Sequence, residues 1–429
     1  MASAGVTAVA RPIPQAVCLA FGTVSALGLG RFAYGLLLPV MREDLGWSLS
    51  AAGVLATANG FGYLIGALAT TRVARRIGSA RTFRWGMVLT AVSLAATGVS
   101  GDYRFLLALR AVAGISGAAV FISGGVIAAR MAARAASGSP ITVYFAGTGL
   151  GIVLSGVALP MLGDHWQTAW FGSGVAAGLA AAISWHAARD DETISPRSGR
   201  ARLRPLRPTV LAYLLFAAGY ITYITFLSAH LAAHAAGTVQ VVIAWATMGL
   251  AVLAGPIIWS RPISRRPLDR VLALVLALLA GSAALALWSA AVPAMLASAA
   301  VYGATFMTVP ALVTALVKNN TPPADWTATL AACTTVFAAG QTVGPWLAGL
   351  LADHTATTAP LLWTVLLCAT GSVIATAQSI PAHSDEENDH DDLRTDSRYV
   401  PRWLVLRGNH RAPARARSPR SAADADRGR

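Results

Sequence analysis

Two arginines sit where arginine is costly. Arg31 lies inside the first long apolar run, within GLGRFAYGLLLP at 28–39, and Arg110 lies inside the fourth. A guanidinium does not shed its proton in a protein. At the centre of a membrane helix it costs about 2.5–3.5 kcal/mol on insertion scales. Arg31 precedes Pro39, at the outer end of its run, by ~12 Å of helix, and Arg110 follows Tyr103, at the outer end of its own, by ~10 Å. The two charges are therefore expected at similar depth. All nineteen acidic residues fall in loops, at the edges of apolar runs or in the C-terminal tail. Two cations without a deep anion point to an anionic ligand. The competing readings are that each arginine bonds helix-end carbonyls or a gate loop, or snorkels to the surface.

The neighbours of these arginines leave room for a solute. Arg31 shares a helix face with Gly28, Tyr34 and Gly35, and Arg110 shares one with Gly114 and Gly117. Asn59, Gly62, Tyr63 and Gly66 form one stripe in the second run. Tyr220 and Tyr223 lie in the seventh, Tyr302 and Thr305 in the tenth, and Gln341 in the eleventh. Tyrosines also serve as plain packing or interface residues, whereas a buried amide must find partners. The candidate binding set is Arg31, Tyr34, Asn59, Arg110, Tyr220, Tyr223 and Gln341. The candidate gating and packing set is Gly66, Arg72, Gly114, Gly147, Gly151, Gly340, Gly344 and Pro345.

The elements that must carry these residues follow from composition. Of 429 residues, 55% are hydrophobic and only 12% charged, and the mean hydropathy is +0.58. Such a chain cannot solvate its own surface and is expected to be an all-α polytopic membrane protein. Apolar runs long enough to span a bilayer recur at roughly 16–40, 49–71, 82–100, 103–128, 141–163, 167–188, 209–234, 238–259, 270–290, 292–317, 326–351 and 358–380. Residues 189–208 are polar and arginine-rich and divide the spans six and six. The expected organisation is a cytoplasmic N-terminus at 1–15, a six-helix bundle at 16–188, a cytoplasmic linker at 189–208 and a second six-helix bundle at 209–380. A disordered cytoplasmic tail at 381–429, acidic and then arginine-rich, completes it.

The net charge of +14 does not imply nucleic acid. With the N-terminus inside, the cytoplasmic loops hold eighteen basic residues and the outer loops only Arg42 and Arg104. That asymmetry is a topology signal placing both termini in the cytoplasm. Cys18, Cys333 and Cys368 are too scattered for a metal site or a disulfide framework. His230 and His234, four apart, lack a third ligand nearby, so no metal and no cofactor are expected. No nucleotide-binding loop, nucleophile elbow or zinc-protease helix is present, which argues against an enzyme.

The two halves look repeated. Gly147, Gly151 and Gly156 in the fifth span share their spacing with Gly340, Gly344 and Gly349 in the eleventh. Small residues at such spacing let membrane helices approach closely, and equivalent positions in two halves suggest parallel repeats.

Together these features resemble the major facilitator superfamily of secondary transporters over roughly residues 15–380. The stretches GRFAYGLLLPVMREDLGWS at 30–48, ANGFGYLIGAL at 58–68, YFAGTGLGIVLSG at 144–156 and GQTVGPWLAGLLAD at 340–353 resemble its YbfB/YjiJ branch. The resemblance implies a cavity lined by spans one, four, seven and ten. It gives Arg110 with Gly114 the start of a fourth-span motif linked to proton coupling or cavity structure. Gly340 to Pro345 is similar to an antiporter hinge, but lies in span eleven, and its span-five counterpart has Ile152 where the proline would follow Gly151. In the loop after span two, Thr70 stands where the family pattern has an aspartate, while Arg72, Arg75 and Arg76 remain. The expectation is a monomeric secondary transporter in a bacterial cytoplasmic membrane, in contact with membrane lipid. It would move a small molecule, foremost a small organic anion, by alternating access, with protons as the candidate coupling ion. Efflux of hydrophobic compounds and a non-transporting membrane sensor are the alternatives.

Overall fold

The computed structural model describes residues 12–189, 199–354 and 358–377. The expectations for residues 1–11, for residues 190–198 of the linker and for the tail at 381–429 lie outside the described residues.

Every described element is helical. The first expected span is one stretch in three parts: α1 (Pro12–Thr23), a π-helical segment (Val24–Phe32) and α2 (Ala33–Leu45). It is followed by α3 (Leu49–Ile77), α4 (Ser79–Thr97), α5 (Tyr103–Arg134), α6 (Ser139–Ala158) and α7 (Trp166–Ser184). After the linker come α8 (Arg207–Ala233), α9 (Thr238–Arg265) and α10 (Leu268–Trp288). The tenth expected span is broken at Met307 into α11 (Val292–Phe306) and α12 (Thr308–Asn320), and α13 (Trp326–His354) and α14 (Ala359–Ala377) close the series. Local chemistry sets several ends. Gly46, at φ +66°, terminates α2. Ser48 and Asp102 accept the Ala51 and Phe105 backbone N–H groups, capping α3 and α5.

Among the described residues, nine helical stretches are long and apolar enough to cross a membrane. Three further helices, α4, α7 and α13, are diluted: α4 by Arg81 and Arg84, α7 by Gln167 and its small residues, α13 by five threonines and Gln341.

The glycine spacing read from the sequence has a structural counterpart. A Cβ on Gly147 would lie 2.2 Å from the Ala20 carbonyl oxygen, and one on Gly151 2.8 Å from the Gly28 Cα, so α6 packs on the first stretch. Gly340 and Gly344 lie equally close to the Leu214 and Ala218 carbonyls of α8. The third glycine of each set reaches across the molecule. Gly156 meets Trp245 of α9, and Gly349 meets the Leu49 carbonyl of α3. The fifth span thus touches the first and eighth, and the eleventh touches the seventh and second, as two parallel repeats require. Gly62, Gly66 and Gly114 make the same kind of close seam between α3 and α5, where Gly114 lies against the Asn59 carbonyl.

Three seams join the halves: α3 with α13, α6 with α9, and α2 with α8. At the first, the Asp353 carboxylate accepts the Leu49 and Ser50 N–H groups at the start of α3, at 2.9 and 3.0 Å. At the third, Gly35 lies against the Ile224 carbonyl. The last part of the linker is pinned to the start of α13. The Arg200 and Arg202 N–H groups donate to Asp325 and Thr329, and the Arg202 guanidinium pairs with Asp325.

Candidate functional site

The π-helical segment positions Arg31. Its wider turn carries the Ala33 N–H to the Gly28 carbonyl, five residues back, and such segments are frequent at functional sites. All nine of its residues are buried. The Arg31 side chain is 8% exposed. Its guanidinium lies 5.3 Å from the centre of the Tyr63 ring of α3, within electrostatic reach of the Tyr63 and Tyr220 hydroxyls. Among the described residues it makes no hydrogen bond and no ion pair, and its Nε is buried without a partner.

Arg110, on α5, is near Arg31 but differently held. One of its Nη groups donates to the Gly30 carbonyl at 3.0 Å, beside Arg31 in the chain. Its guanidinium also lies 4.8 Å from the Tyr34 ring and 5.4 Å from the Trp170 ring. An arginine with a carbonyl and two aromatic faces has much of its charge compensated. The depth match expected from the sequence is present, and the two residues have different surroundings.

Opposite Arg31 stands an aromatic wall from the second half. Tyr220 of α8 stacks near Phe216, Phe337 and Phe306, with ring centres 4.9, 5.4 and 6.1 Å apart. Phe306, at the end of α11, meets Phe32 edge-on at 6.1 Å, joining the wall to the π-helical segment. The Tyr220 hydroxyl donates to Gln341 Oε1 at 3.0 Å, which leaves the fully buried Gln341 Nε2 without a partner.

Of the seven candidate binding residues, the structure brings Arg31, Tyr220 and Gln341 to this place, with Arg110 behind Arg31. It puts the other three to work between helices. The Tyr34 hydroxyl donates to the Ala52 carbonyl at 2.7 Å, tying α2 to α3. Asn59 donates to the Arg110 carbonyl at 3.1 Å. The Tyr223 hydroxyl donates to Ser298, which donates in turn to the Ser282 carbonyl, and the ring stacks on Tyr302 at 3.8 Å. Arg72 is exposed, and its side chain donates to the Leu68 carbonyl of its own helix at 3.4 Å. Gly344 and Pro345 lie inside an unbroken α13.

Tyr63, Phe306 and Phe337 complete the site and were not in the sequence-derived set. Each had a spacing signal: Tyr63 follows Asn59 by four, Phe306 follows Tyr302 by four, and Phe337 precedes Gln341 by four. Three further buried hydroxyls without partners, Ser25 in the π-helical segment, Thr57 of α3 and Thr148 of α6, belong to the first half.

Chemically, the place offers a cation met by one aromatic ring and no acceptor among the described residues, an amide with free donors and a broad aromatic face. His230 is elsewhere, its Nε2 3.2 Å from the Ala286 carbonyl and its ring 4.4 Å from that of His234. Among the described residues no group of three metal-ligating side chains occurs.

Comparison with solved structures places this architecture. The nucleoside transporter NupG superposes with a TM-score of 0.65, and a point mutant of it with 0.68; each comparison covers 86% of this chain and 98% of the other at 12% identity. At that identity the likeness shows the fold alone. No curated protein sequence matches. A family model described as the uncharacterised MFS-type transporter YbfB matches residues 23–379, and the chain belongs to that family.

Proposed function

We propose that the protein is a secondary active transporter that moves a small organic anion across a bacterial cytoplasmic membrane by alternating access. In this reading α4, α7 and α13 also cross. Twelve spans then form two six-helix bundles with both termini cytoplasmic, the chain works as a monomer, and it has no enzymatic activity. The family membership and the general fold support transport of a small solute. The sequence stretches that resemble the YbfB/YjiJ branch agree with the family match but do not name a substrate.

The observation that carries the anion reading is the Arg31 guanidinium: buried, unpaired and facing the junction between the halves. A buried unpaired charge is strongly unfavourable. A carboxylate would supply the missing counter-charge and hydrogen bonds, and Gln341 Nε2 supplies a second donor. The rings of Tyr220, Phe306 and Phe337 favour a substrate with a flat or apolar body. Protons remain the proposed coupling ion, carried by a histidine or by the substrate itself, with simple exchange as the other route, because no carboxylate among the described residues pairs with Arg31.

The same aromatic wall favours one second reading, efflux of hydrophobic compounds. A thermal-shift screen of the purified protein against small organic anions and lipophilic cations separates the two, since binding raises stability by mass action. Stabilisation by anions that disappears in Arg31→Gln, with matching loss of uptake in proteoliposomes, supports the anion reading. Stabilisation by lipophilic cations alone, or anion uptake unchanged in Arg31→Gln, overturns it.

A further inference from the structure

A concave surface lies away from Arg31, at the turn between α9 and α10. It encloses about 600 Å³ and is lined by Arg261, Arg265, Arg266 and Arg270, with Pro262, Pro267, Val271 and Leu274 as its apolar wall. All four arginines are exposed. None of their guanidiniums has an ion pair or hydrogen bond to another described residue. One carboxylate is near: Asp269, half-buried in the first turn of α10, pairs with none of them.

The geometry points to a binding site for an anionic phospholipid of the cytoplasmic leaflet. Four guanidiniums around one recess repel one another and lower the local potential barrier to an anion. Their planar forks suit phosphate oxygens bidentately. A zwitterionic headgroup would bring its ammonium into the same field and gain less. The recess is also built for more than a free ion. α9 and α10 scarcely touch beyond their shared turn, while α10 packs closely on α14 and α11. A wedge is therefore left open toward the side where Leu274, Ile257 and Ile258 are exposed at 41, 79 and 52%. An acyl chain fits an apolar, membrane-facing wedge beneath a basic mouth. Basic recesses between helices on the cytoplasmic side are the sites where acidic headgroups bind. The first half carries a smaller version at the equivalent end of α3, where Arg72 and Arg76 stand over Ile65, Leu68 and Val73. With two arginines instead of four, it is the weaker of the pair.

This site is independent of the substrate reading, because none of its residues lies near Arg31. The test is lipid retention by native mass spectrometry of the full chain. Phosphatidylglycerol and phosphatidylcholine of matched acyl chains are titrated in separate runs, with inorganic phosphate as competitor. The wild type is expected to hold phosphatidylglycerol in preference to phosphatidylcholine. Arg265→Gln with Arg266→Gln is expected to weaken that binding roughly thirtyfold, at the usual worth of about 1 kcal/mol for each surface arginine. Leu274→Trp, which fills the wedge and keeps every charge, is expected to displace the lipid as well. Arg72→Gln with Arg76→Gln is expected to keep most of the preference. The proposal is overturned by equal retention of both lipids, or by unchanged retention in the Arg265/Arg266 variant. It is overturned equally by displacement with inorganic phosphate at millimolar levels, or by lipid adducts that appear only after removal of the acidic segment 385–392. The first of those would mark a free-anion site and the second a site for the chain's own tail.

Discussion

The two walls of the central site are built to different rules. On the side of the second half, the tyrosine hydroxyls have partners: Tyr220 with Gln341, Tyr223 with Ser298, and Tyr302 with the Tyr220 carbonyl. Their rings stack in one array with Phe216, Phe306 and Phe337. On the side of the first half, Arg31 and Arg110 each keep a buried Nε without a partner, as do the Ser25 and Thr148 hydroxyls. An unsatisfied buried polar group costs about 1–3 kcal/mol, and more when charged. The tyrosines of the aromatic wall are therefore satisfied without a ligand, with Gln341 Nε2 left as an open donor beside them, whereas the basic wall leaves its charged groups unsatisfied. The difference assigns them different tasks: the basic wall selects charge, and the aromatic wall selects shape.

The largest effect should come from separating the two arginines of the basic wall. Arg31→Gln removes a buried charge that, among the described residues, meets only the Tyr63 ring and no hydrogen-bond acceptor in the unliganded protein. Anion binding should fall about a hundredfold, the upper worth of a charge-assisted hydrogen bond, while the melting temperature holds or rises. Arg110→Ala removes a hydrogen bond to the Gly30 carbonyl and two aromatic contacts. It should destabilise the protein by about 2–3 kcal/mol before any ligand is added. Thermal unfolding of both variants without and with anion reads the contrast. Equal destabilisation by the two would erase the distinction between a selecting and a bracing arginine.

A smaller effect tests the other wall. Phe337→Ala opens the array beside Tyr220 while leaving Gln341 and Arg31 in place. Affinity for anions with a flat ring should drop about tenfold, the scale of one well-placed aromatic contact with its buried area. Affinity for short aliphatic anions should change little. If both classes lose affinity alike, the aromatic wall serves folding and not shape selection.

The sequence made charge legible and left partners hidden. Arg31 and Arg110 stood out because a charge inside an apolar run has few explanations, and their matching depth followed from helical rise alone. The glycine sets Gly147/Gly151/Gly156 and Gly340/Gly344/Gly349 were legible for a similar reason: close backbone approach leaves a spacing that survives in the chain. Tyr34, Asn59 and Tyr223 were not separable from Tyr220 and Gln341. A polar side chain on a helix face bonds either a ligand or the next helix, and only packing decides which. The π-helical segment left no trace either. Val24–Phe32 has the same apolar pattern whether its bonds reach four residues or five, so the shift it gives Arg31 along the helix could not be read.

The smallest effect lies where the two halves are tethered. The Asp325 carboxylate accepts the Arg200 backbone N–H and pairs with the Arg202 side chain, and these contacts, in that order, hold its pKa below the ordinary carboxylate range. A carboxyl whose pKa is depressed in the folded state contributes stability above its unfolded pKa, near 4, and loses it as pH falls through the lower folded value. The tether should thus be intact at neutral pH and released only in acid. Because the pair is exposed on the arginine side, its contribution is small. Amide exchange at Arg200 and Arg202 is the sensitive measure. At neutral pH, Asp325→Asn should speed exchange at both positions, with the melting temperature nearly unchanged. After correction for intrinsic rates, wild type and variant should converge once the pH is well below 4. Exchange that stays slow in the variant would show that Thr329, which accepts the Arg202 N–H, is sufficient to hold the linker. The halves would then be tethered without the charge, and what distinguishes them would lie entirely in the walls of the central site.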